Sequence, residues 1–226
     1  MLIIEKNKLG FLIILLILLS YFFGFYIREI SNGAGHIDLE HHIWLVISDL
    51  KKNYFQTIVN YQNNGYGEAT FPFFHSFQSF FNPATKNILY CLNNTIFNLF
   101  VIFIFYQFLK FKKIEFENNF LIILIPFILL LSPWFRSSSY WGMTENFAFF
   151  FLIPSLYYLD LLISKKISFN KNLLLTILIS LTLYARQQYI FLALFHLLVL
   201  LLNNNKRELI FTIIIYSLLS LPGFYV

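Results

Sequence analysis

Cysteine and charged residues are both scarce in this sequence of 226 residues. The single cysteine, Cys91, excludes an internal disulfide framework and any CxxC metal site. Charged residues make up 12% of the chain, roughly half the share found in a typical soluble domain. No basic stripe is interleaved with exposed aromatic residues, which argues against nucleic acid as a partner. The chain is instead 58% hydrophobic and 21% aromatic, a composition typical of membrane proteins.

The N-terminal apolar run is not expected to be a cleavable signal peptide. The first apolar run ends in the bulky segment 21–26, whereas a cleavage site needs small residues of the A-x-A type. We therefore predict an uncleaved first span. Several further runs approach the roughly 20 residues that cross a bilayer. The sequence predicts an all-α fold, a single polytopic transmembrane helical bundle over 1–226, with spans at about 9–27, 88–109, 119–134, 146–164, a hairpin over 172–202, and 208–226.

The stretch 172–202 has about 31 residues, which as one helix would measure roughly 46 Å at 1.5 Å per residue. That length exceeds one hydrocarbon core of ~30 Å and falls short of two full crossings. Its middle is polar around Arg186. With the N-terminus in the cytoplasm, the basic clusters at 110–113 and 165–171 fall inside. A hairpin over 172–202 keeps Lys206 and Arg207 inside as well, as the positive-inside rule favours, whereas a single crossing would place them outside. A single long tilted helix is the alternative.

This topology places a long first loop, 28–87, and a shorter loop near 135–145 on the external face. Within the first loop, apolar residues recur at helical spacing from Leu39 to Ile58, which predicts an amphipathic helix on the outer membrane surface. The aromatic run that follows predicts a second short interfacial helix near 73–81.

Two acidic residues, Asp38 and Glu40, directly follow the first span on the predicted external side. A carboxylate there could act as a general base on a hydroxyl, and the pair could hold a divalent cation such as Mg or Mn. The structural alternative makes Asp38 the N-cap of the surface helix, with Glu40 at its positive end. The nearby His36, His41 and His42 raise a zinc site as a further interpretation, although adjacent histidines point to different faces of a helix.

Arg186 is an ionisable residue within an apolar stretch, which is by default a functional-site hypothesis. Its guanidinium can hold a phosphate with two hydrogen bonds, and Gln187, Gln188 and Tyr189 add donors at the same place. The alternative is an arginine that reaches the interface or pairs with a structural acid.

The second external loop combines a base, an acid and aromatic rings: Arg136, Tyr140, Trp141 and Glu145. Aromatic rings stack on sugar faces and Glu145 could bind hydroxyls, so these residues are predicted to contact substrate. The alternative is an ordinary aromatic belt, with Thr144 capping the next helix.

Polar residues inside the predicted spans have simpler interpretations. Asn93, Asn94 and Asn98 are expected to link neighbouring helices through hydrogen bonds. His75 and His196 have no visible partners in the sequence, and no role is assigned to them.

Together these features resemble the GT-C superfamily of integral-membrane glycosyltransferases. The resemblance covers most of the chain by topology and rests on three short motifs. Asp38-Leu39-Glu40 directly follows the first span. The stretch YARQQY at 184–189 is similar to the RQTN stretch of dolichyl-phosphate-glucose glucosyltransferases. Glu145 lies where relatives, including protein O-mannosyltransferases, often have a second acidic group. Family members are usually much longer, and the last span ends without a polar tail, so a fragment of a longer enzyme and a chain that stops at the membrane surface both stay open.

The resemblance implies an enzyme that transfers a sugar from a polyprenyl-phosphate donor to a lipid-linked or protein acceptor. It implies that Asp38 is the catalytic base or the acid that orients the acceptor. It also implies that Glu40 assists Asp38 or contacts a metal, and that Arg186 and Gln187 bind the donor phosphate. The expected location is the bacterial inner membrane, with the active site facing the periplasm or exterior. A lipid or polysaccharide transporter or flippase, and a non-catalytic membrane scaffold, are the alternatives.

Overall fold

A computed structural model describes residues 2–29, 35–61, 72–112, 120–165 and 167–220. These residues form helices and no strand, so the predicted all-α class is confirmed. Three short non-α turns interrupt the described helices: a π-helical turn at Leu39–Ile43 and 3-10 turns at Leu129–Leu131 and Gln187–Tyr189. The α-helices are, in chain order, α1 (Leu2–Tyr26), α2 (Gly35–Asp38), α3 (Trp44–Lys52), α4 (Tyr54–Val59), α5 (Phe73–Phe81), α6 (Asn87–Phe97), α7 (Leu99–Phe111), α8 (Phe120–Ile128), α9 (Pro133–Tyr140), α10 (Thr144–Ile163), α11 (Phe169–Ala185), α12 (Ile190–Leu202) and α13 (Lys206–Ser220).

Three helices in the described part of the chain are long and apolar enough to cross a membrane. They are Lys8–Tyr26 within α1, Asn87–Phe111 formed by α6 and α7 together, and Thr144–Ile163, which is α10. The pair Phe120–Leu131 and Pro133–Tyr140 adds a fourth if the two are counted as one bent span. Apolar helices long enough to span are thus confirmed, whereas the full set of crossings and their orientation stay predictions.

The predicted span 119–134 does not continue as one straight helix. The chain bends by 69° between Leu131 and Pro133. Pro133 restricts the preceding residue to an extended backbone, and Ser132 adopts it with ψ of 120°. The Ser132 hydroxyl then accepts a hydrogen bond from the Phe135 N–H at 3.5 Å and caps the new helix, with proline in its favoured first position. The predicted loop near 135–145 therefore consists largely of helix α9.

Helix packing divides the chain into two compact units. Unit 1 comprises Met1–Ile43 and Pro83–Asn146, and unit 2 comprises Trp44–Asn82 and Phe147–Val226. In unit 1, α1 packs on α8 and α9, α6 packs on α9, and α7 packs on α8. Gly10 allows a close approach between α1 and α8, because a Cβ there would overlap the Phe120 ring.

In unit 2, the apolar stripe predicted for a surface helix is buried against protein. Val46, Leu50 and Tyr61 form a buried cluster, and Tyr54 packs on the Phe80 ring of α5 with ring centroids 4.8 Å apart. The stripe is also divided among several elements, since the side chain of Asn53 caps a new helix between α3 and α4. The prediction of one helix from Leu39 to Ile58 was therefore wrong in its continuity. The helix predicted near 73–81 corresponds to α5.

Lys51 links α3 to the residue that follows α5 through a hydrogen bond. Its ammonium donates a hydrogen bond to the Asn82 carbonyl at 2.7 Å and lies 5.9 Å from the centre of the Trp44 ring. Burial lowers the pKa of Lys51, because its charged form loses hydration there.

The apolar stretch 172–202 is two helices rather than one. α11 ends at Ala185 and α12 begins at Ile190, with Arg186 and a 3-10 turn at Gln187–Tyr189 between them. His196 Nε2 lies 2.9 Å from Asn172 Oδ1. In one straight helix these residues would be about 36 Å apart. The chain therefore turns back on itself near Arg186.

A buried polar network joins α11, α12 and α13. Besides its contact with Asn172, His196 places Nδ1 2.8 Å from the Tyr216 hydroxyl. The Asn172 amide donates to the Thr212 hydroxyl at 3.2 Å, so Asn172 Oδ1 accepts from His196 Nε2–H and Nδ1 accepts from Tyr216. The sequence analysis assigned His196 no role because its partners lie on other helices.

Replacing His196 with leucine should destabilise unit 2. We expect a loss of about 1–3 kcal/mol, since the substitution leaves buried groups on Asn172 and Tyr216 without their hydrogen bonds. Thermal unfolding in detergent, followed by size-exclusion chromatography, measures the change. Phe195→Leu, at an exposed neighbouring position, is the matched control. Equal unfolding midpoints for the two variants would show that the network does not stabilise the fold.

Asn94 and Asn98, at the end of α6, each donate a hydrogen bond to a nearby backbone carbonyl. The Asn94 and Asn98 amides donate to the Tyr90 and Asn94 carbonyls, at 3.1 and 2.8 Å. Both carbonyls lie one turn earlier in the chain, so these two bonds do not link neighbouring helices, and the expected links between helices stay a prediction.

Candidate functional site

The predicted catalytic acids lie at a junction between two kinds of helix. Asp38 is the last residue of α2, and Glu40 lies in the π-helical turn Leu39–Ile43. The helix already begins at Gly35, so the structural alternative in which Asp38 is an N-cap was wrong. Asp38 is half-buried and Glu40 is exposed.

The π-helical turn determines which side chains of this segment face outward. Leu39 and Ile43 are buried at its two ends, whereas Glu40 and His41 are exposed. Single π-helical turns within helical segments are uncommon and occur frequently at functional sites. A carboxylate pair at such a turn is therefore a candidate site on structural grounds as well as on its sequence pattern.

A metal site at these acids stays a prediction. Among the residues that the structure describes, no group of three or more His, Cys, Asp or Glu side chains is arranged to hold a metal ion. The zinc interpretation thus has no such group in this part of the chain. Asp38 and Glu40 are oxygen donors that suit Mg or Mn, ions that retain several water ligands and need few protein groups.

The backbone changes direction at the end of α1, before α2 and the acidic pair. Arg28 adopts a left-handed backbone with φ of +54°, and the Glu29 N–H donates back to the Gly24 carbonyl at 2.9 Å. This hydrogen-bond pattern is a Schellman motif, in which glycine usually takes the position that Arg28 occupies. The reversal brings the Glu29 carboxylate to an arginine on α9.

Arg136 forms a partly buried ion pair with Glu29. Its Nη2 lies 2.6 Å from Glu29 Oε2, with side-chain exposures of 14% and 26%. The guanidinium also donates to the Ser20 carbonyl at 2.9 Å, to the Ser20 hydroxyl at 3.2 Å and to the Tyr140 hydroxyl at 3.1 Å. Tyr140 in turn donates to the Tyr21 carbonyl at 2.5 Å. Arg136 and Tyr140, which were predicted to contact substrate, thus donate hydrogen bonds to other groups of the protein.

Two further contacts complete the attachment of α9 to α1. The Trp141 indole N–H donates to the Glu29 carbonyl at 3.2 Å. Gly24 lies directly beneath the ion pair, where a Cβ would overlap the Arg136 guanidinium and come within 2.7 Å of the Tyr140 hydroxyl. We call this set, Ser20, Gly24, Glu29, Arg136, Tyr140 and Trp141, the α1–α9 clasp.

The turn after α9 is held by buried polar groups. Gly142 has φ of +61°, and its carbonyl accepts a hydrogen bond from the Tyr90 hydroxyl at 3.0 Å. Glu145, in the first turn of α10, accepts a bond from the Ser138 hydroxyl at 3.4 Å. The Asn146 amide donates to the Phe135 carbonyl and the Ser139 hydroxyl, both at 2.8 Å. Hydrogen bonds therefore hold the turn between α9 and α10 in a defined conformation within unit 1.

The predicted phosphate-binding residues belong to unit 2. Arg186 is half-buried with an extended backbone between α11 and α12, and Gln187 and Gln188 are exposed. The end of α11 packs on α5, where the Tyr184 and Phe73 ring centroids are 6.0 Å apart. The catalytic and phosphate-binding predictions thus fall in separate units.

The sequence analysis missed Glu29, the acidic partner of Arg136. A lone acid at the end of the first apolar run was visible in the sequence. Its partner was not, because Arg136 belongs to a helix whose direction depends on the bend at Pro133.

The sequence matches no protein-family model, and no curated protein and no solved structure is similar to it at a significant level. The functional assignment therefore rests on the residues and contacts described above.

Proposed function

We propose that this chain is a membrane glycosyltransferase, of the GT-C type, that transfers a sugar from a polyprenyl-phosphate donor to an acceptor on the external face of the membrane. The observation that carries the proposal is the acidic pair Asp38 and Glu40 at the π-helical turn after the first apolar helix. A carboxylate near the end of a spanning helix lies at the depth where a lipid-linked sugar phosphate presents its reactive bond.

The α1–α9 clasp supports this proposal by fixing the end of α1, from which the chain continues towards Asp38. A general base must lie within hydrogen-bond reach of the proton that it removes, so helix α2, which carries Asp38 and follows α1 in the chain, needs a defined position. In this mechanism Arg136, Tyr140 and Trp141 act mainly as positioning residues. Glu145 lies near the end of α9 and is the one carboxylate among the predicted substrate-binding residues, so it is proposed to bind sugar hydroxyls.

The proposed reaction is a direct displacement at the anomeric carbon of the sugar. Asp38 accepts the proton of the acceptor hydroxyl, whose oxygen forms the new glycosidic bond as the bond to the donor phosphate breaks. Glu40 assists Asp38 or contacts a divalent cation. Arg186 and Gln187 bind the polyprenyl phosphate that leaves, because a fixed cation stabilises the charge that develops on a departing phosphate.

The direct test is transfer by the purified chain in lipid nanodiscs. A panel of polyprenyl-phosphate sugars is supplied with a lipid and protein extract as acceptor, with Mg²⁺, Mn²⁺ or EDTA present. We expect release of free polyprenyl phosphate with at least one donor. Movement of the lipid across the bilayer without cleavage would instead identify a flippase. No cleavage with any donor and acceptor combination would contradict the proposal.

Replacing Arg186 with alanine should weaken use of the donor. We expect the KM for the donor to rise about 10-fold or more, with a smaller change in kcat, because a charge-assisted contact to phosphate contributes roughly 1.5–3 kcal/mol. Arg186→Lys should recover part of this loss by keeping the charge. Arg207→Ala, which removes an exposed arginine at the start of α13, is the matched control. A donor KM equal to that of the control would exclude Arg186 from phosphate binding.

A further inference from the structure

Unit 1 contains an apolar groove that the proposed chemistry does not use. Its volume is about 490 Å³, within the range of roughly 300–1,000 Å³ that is usual for small-molecule sites. The groove lies between α1, α7 and α8. Among its described lining residues, the Tyr106 hydroxyl is the one polar side-chain group. The apolar lining includes Leu18, Ile102, Phe103, Ile123 and Phe127.

Two lysines lie near the end of the groove that contains Tyr106, without lining it. Lys110 follows Tyr106 by four positions on α7, so the two side chains share a helix face, and Lys110 is exposed. The start of α8 contacts α1 at Gly10, through the Phe120 ring, and Lys8 is exposed two residues earlier. The lining residue Leu99 lies about 10 Å from Tyr106 along the axis of α7. The groove thus has one hydroxyl towards this end and an apolar lining elsewhere, and the two lysines lie beyond the lining on α7 and α1.

We propose that this groove binds an anionic phospholipid of the surrounding bilayer, with one acyl chain between α1, α7 and α8. The apolar walls contact the chain, the Tyr106 hydroxyl donates a hydrogen bond to an ester or phosphate oxygen, and Lys110 and Lys8 bind the phosphate. Two cations near this end of the groove favour a headgroup with net negative charge over a zwitterionic one, since each lysine near a membrane surface strengthens binding by about 5-fold.

The lipid site is separate from the proposed sugar-transfer site. Lys8 and Glu29 lie about 30 Å apart along the direction of α1, near opposite ends of the helix. The lipid proposal requires α1, α7 and α8 to lie in a bilayer, but it does not depend on glycosyltransferase chemistry. Sugar transfer and lipid retention can therefore be measured, and can fail, independently.

Native mass spectrometry of the purified chain tests the proposal. The detergent-solubilised protein is titrated with phosphatidylglycerol or phosphatidylcholine that carry identical acyl chains. We expect one retained phosphatidylglycerol, with a preference of about 10-fold or more over phosphatidylcholine. Lys110→Gln should reduce that preference about 5-fold, whereas Lys206→Gln, at an exposed lysine of unit 2, should leave it unchanged.

A second pair of variants tests the groove itself. Ile123→Trp places an indole in the groove and should abolish retention of either lipid. Ile128→Trp, on the same helix but outside the groove, should bind as the unaltered chain does, because Ile128 is exposed and not part of the lining. Helix content by circular dichroism confirms that both variants are folded. Equal retention of the two lipids by the unaltered chain would overturn the proposal, and so would an unchanged preference in Lys110→Gln.

Discussion

Asp38→Asn should abolish sugar transfer while leaving the helical fold intact. The substitution keeps the shape of the side chain and removes the carboxylate that accepts the acceptor proton. A general base typically contributes about 10²- to 10⁴-fold in rate, so we expect turnover to fall by at least 100-fold. Release of polyprenyl phosphate, measured under saturating donor in nanodiscs, gives the rate. Glu40→Gln should lower the rate less, because Glu40 is proposed to assist rather than to accept the proton.

The control for Asp38→Asn is the same change at another partly exposed acid. Asp49 lies on α3 and forms an exposed pair with Lys52 at 3.1 Å, and Asp49→Asn should keep normal turnover. A metal role for Asp38 would appear as partial recovery of the variant at high Mg²⁺ or Mn²⁺. Normal turnover of Asp38→Asn with the true donor would disprove the assignment of this residue.

Arg136→Met should be the most destabilising of the substitutions in the α1–α9 clasp. The Glu29 carboxylate would stay partly buried without its cation, and Ser20 and Tyr140 would lose hydrogen-bond donors. Removing one member of a fully buried pair costs roughly 3–5 kcal/mol. Because this pair is partly exposed, we expect about 2–4 kcal/mol. The midpoint of thermal unfolding in detergent is the measurement.

A double-mutant cycle separates the ion pair from its surroundings. Glu29→Gln in the Arg136→Met background should cause little further loss, which gives a coupling energy of about 1–3 kcal/mol. The exposed pair of Asp49 and Lys52 provides the reference, with an expected coupling below about 0.5 kcal/mol. A coupling no larger than the reference would refute the structural role of the clasp. A raised donor KM with unaltered stability would instead indicate that Arg136 contacts substrate.

Much of the helical architecture could be predicted because hydropathy and breaker residues act locally. The apolar runs of α1, α6–α7 and α10 appear as helices close to their predicted limits. The polar interruption at Arg186 coincides with the break between α11 and α12. The error in predicting one helix from Leu39 to Ile58 also has local causes. The capping bond of Asn53 and the π-helical turn after Asp38 divided a stripe whose spacing indicated a single helix.

The candidate site was less predictable than the helices. Asp38, Glu40 and Arg186 could be selected from the sequence because ionisable residues next to apolar runs are uncommon. The role of Arg136 could not be predicted, since it depends on Glu29, which follows the end of α1 and is far away in the chain. The same guanidinium donors of Arg136 could bind either a substrate or another part of the protein, and the sequence alone does not distinguish the two.

Apolar composition and run length decided that this chain is helical and has segments able to cross a bilayer, because each backbone amide in hydrocarbon must find its partner within its own helix. The packing of the folded chain decided which polar side chains meet. The 69° bend at Pro133 directs Arg136 to Glu29, and the reversal at Arg186 brings His196 to Asn172. Hydrogen bonds and ion pairs act over about 3 Å, so such partners are determined by where helices end and turn rather than by local sequence.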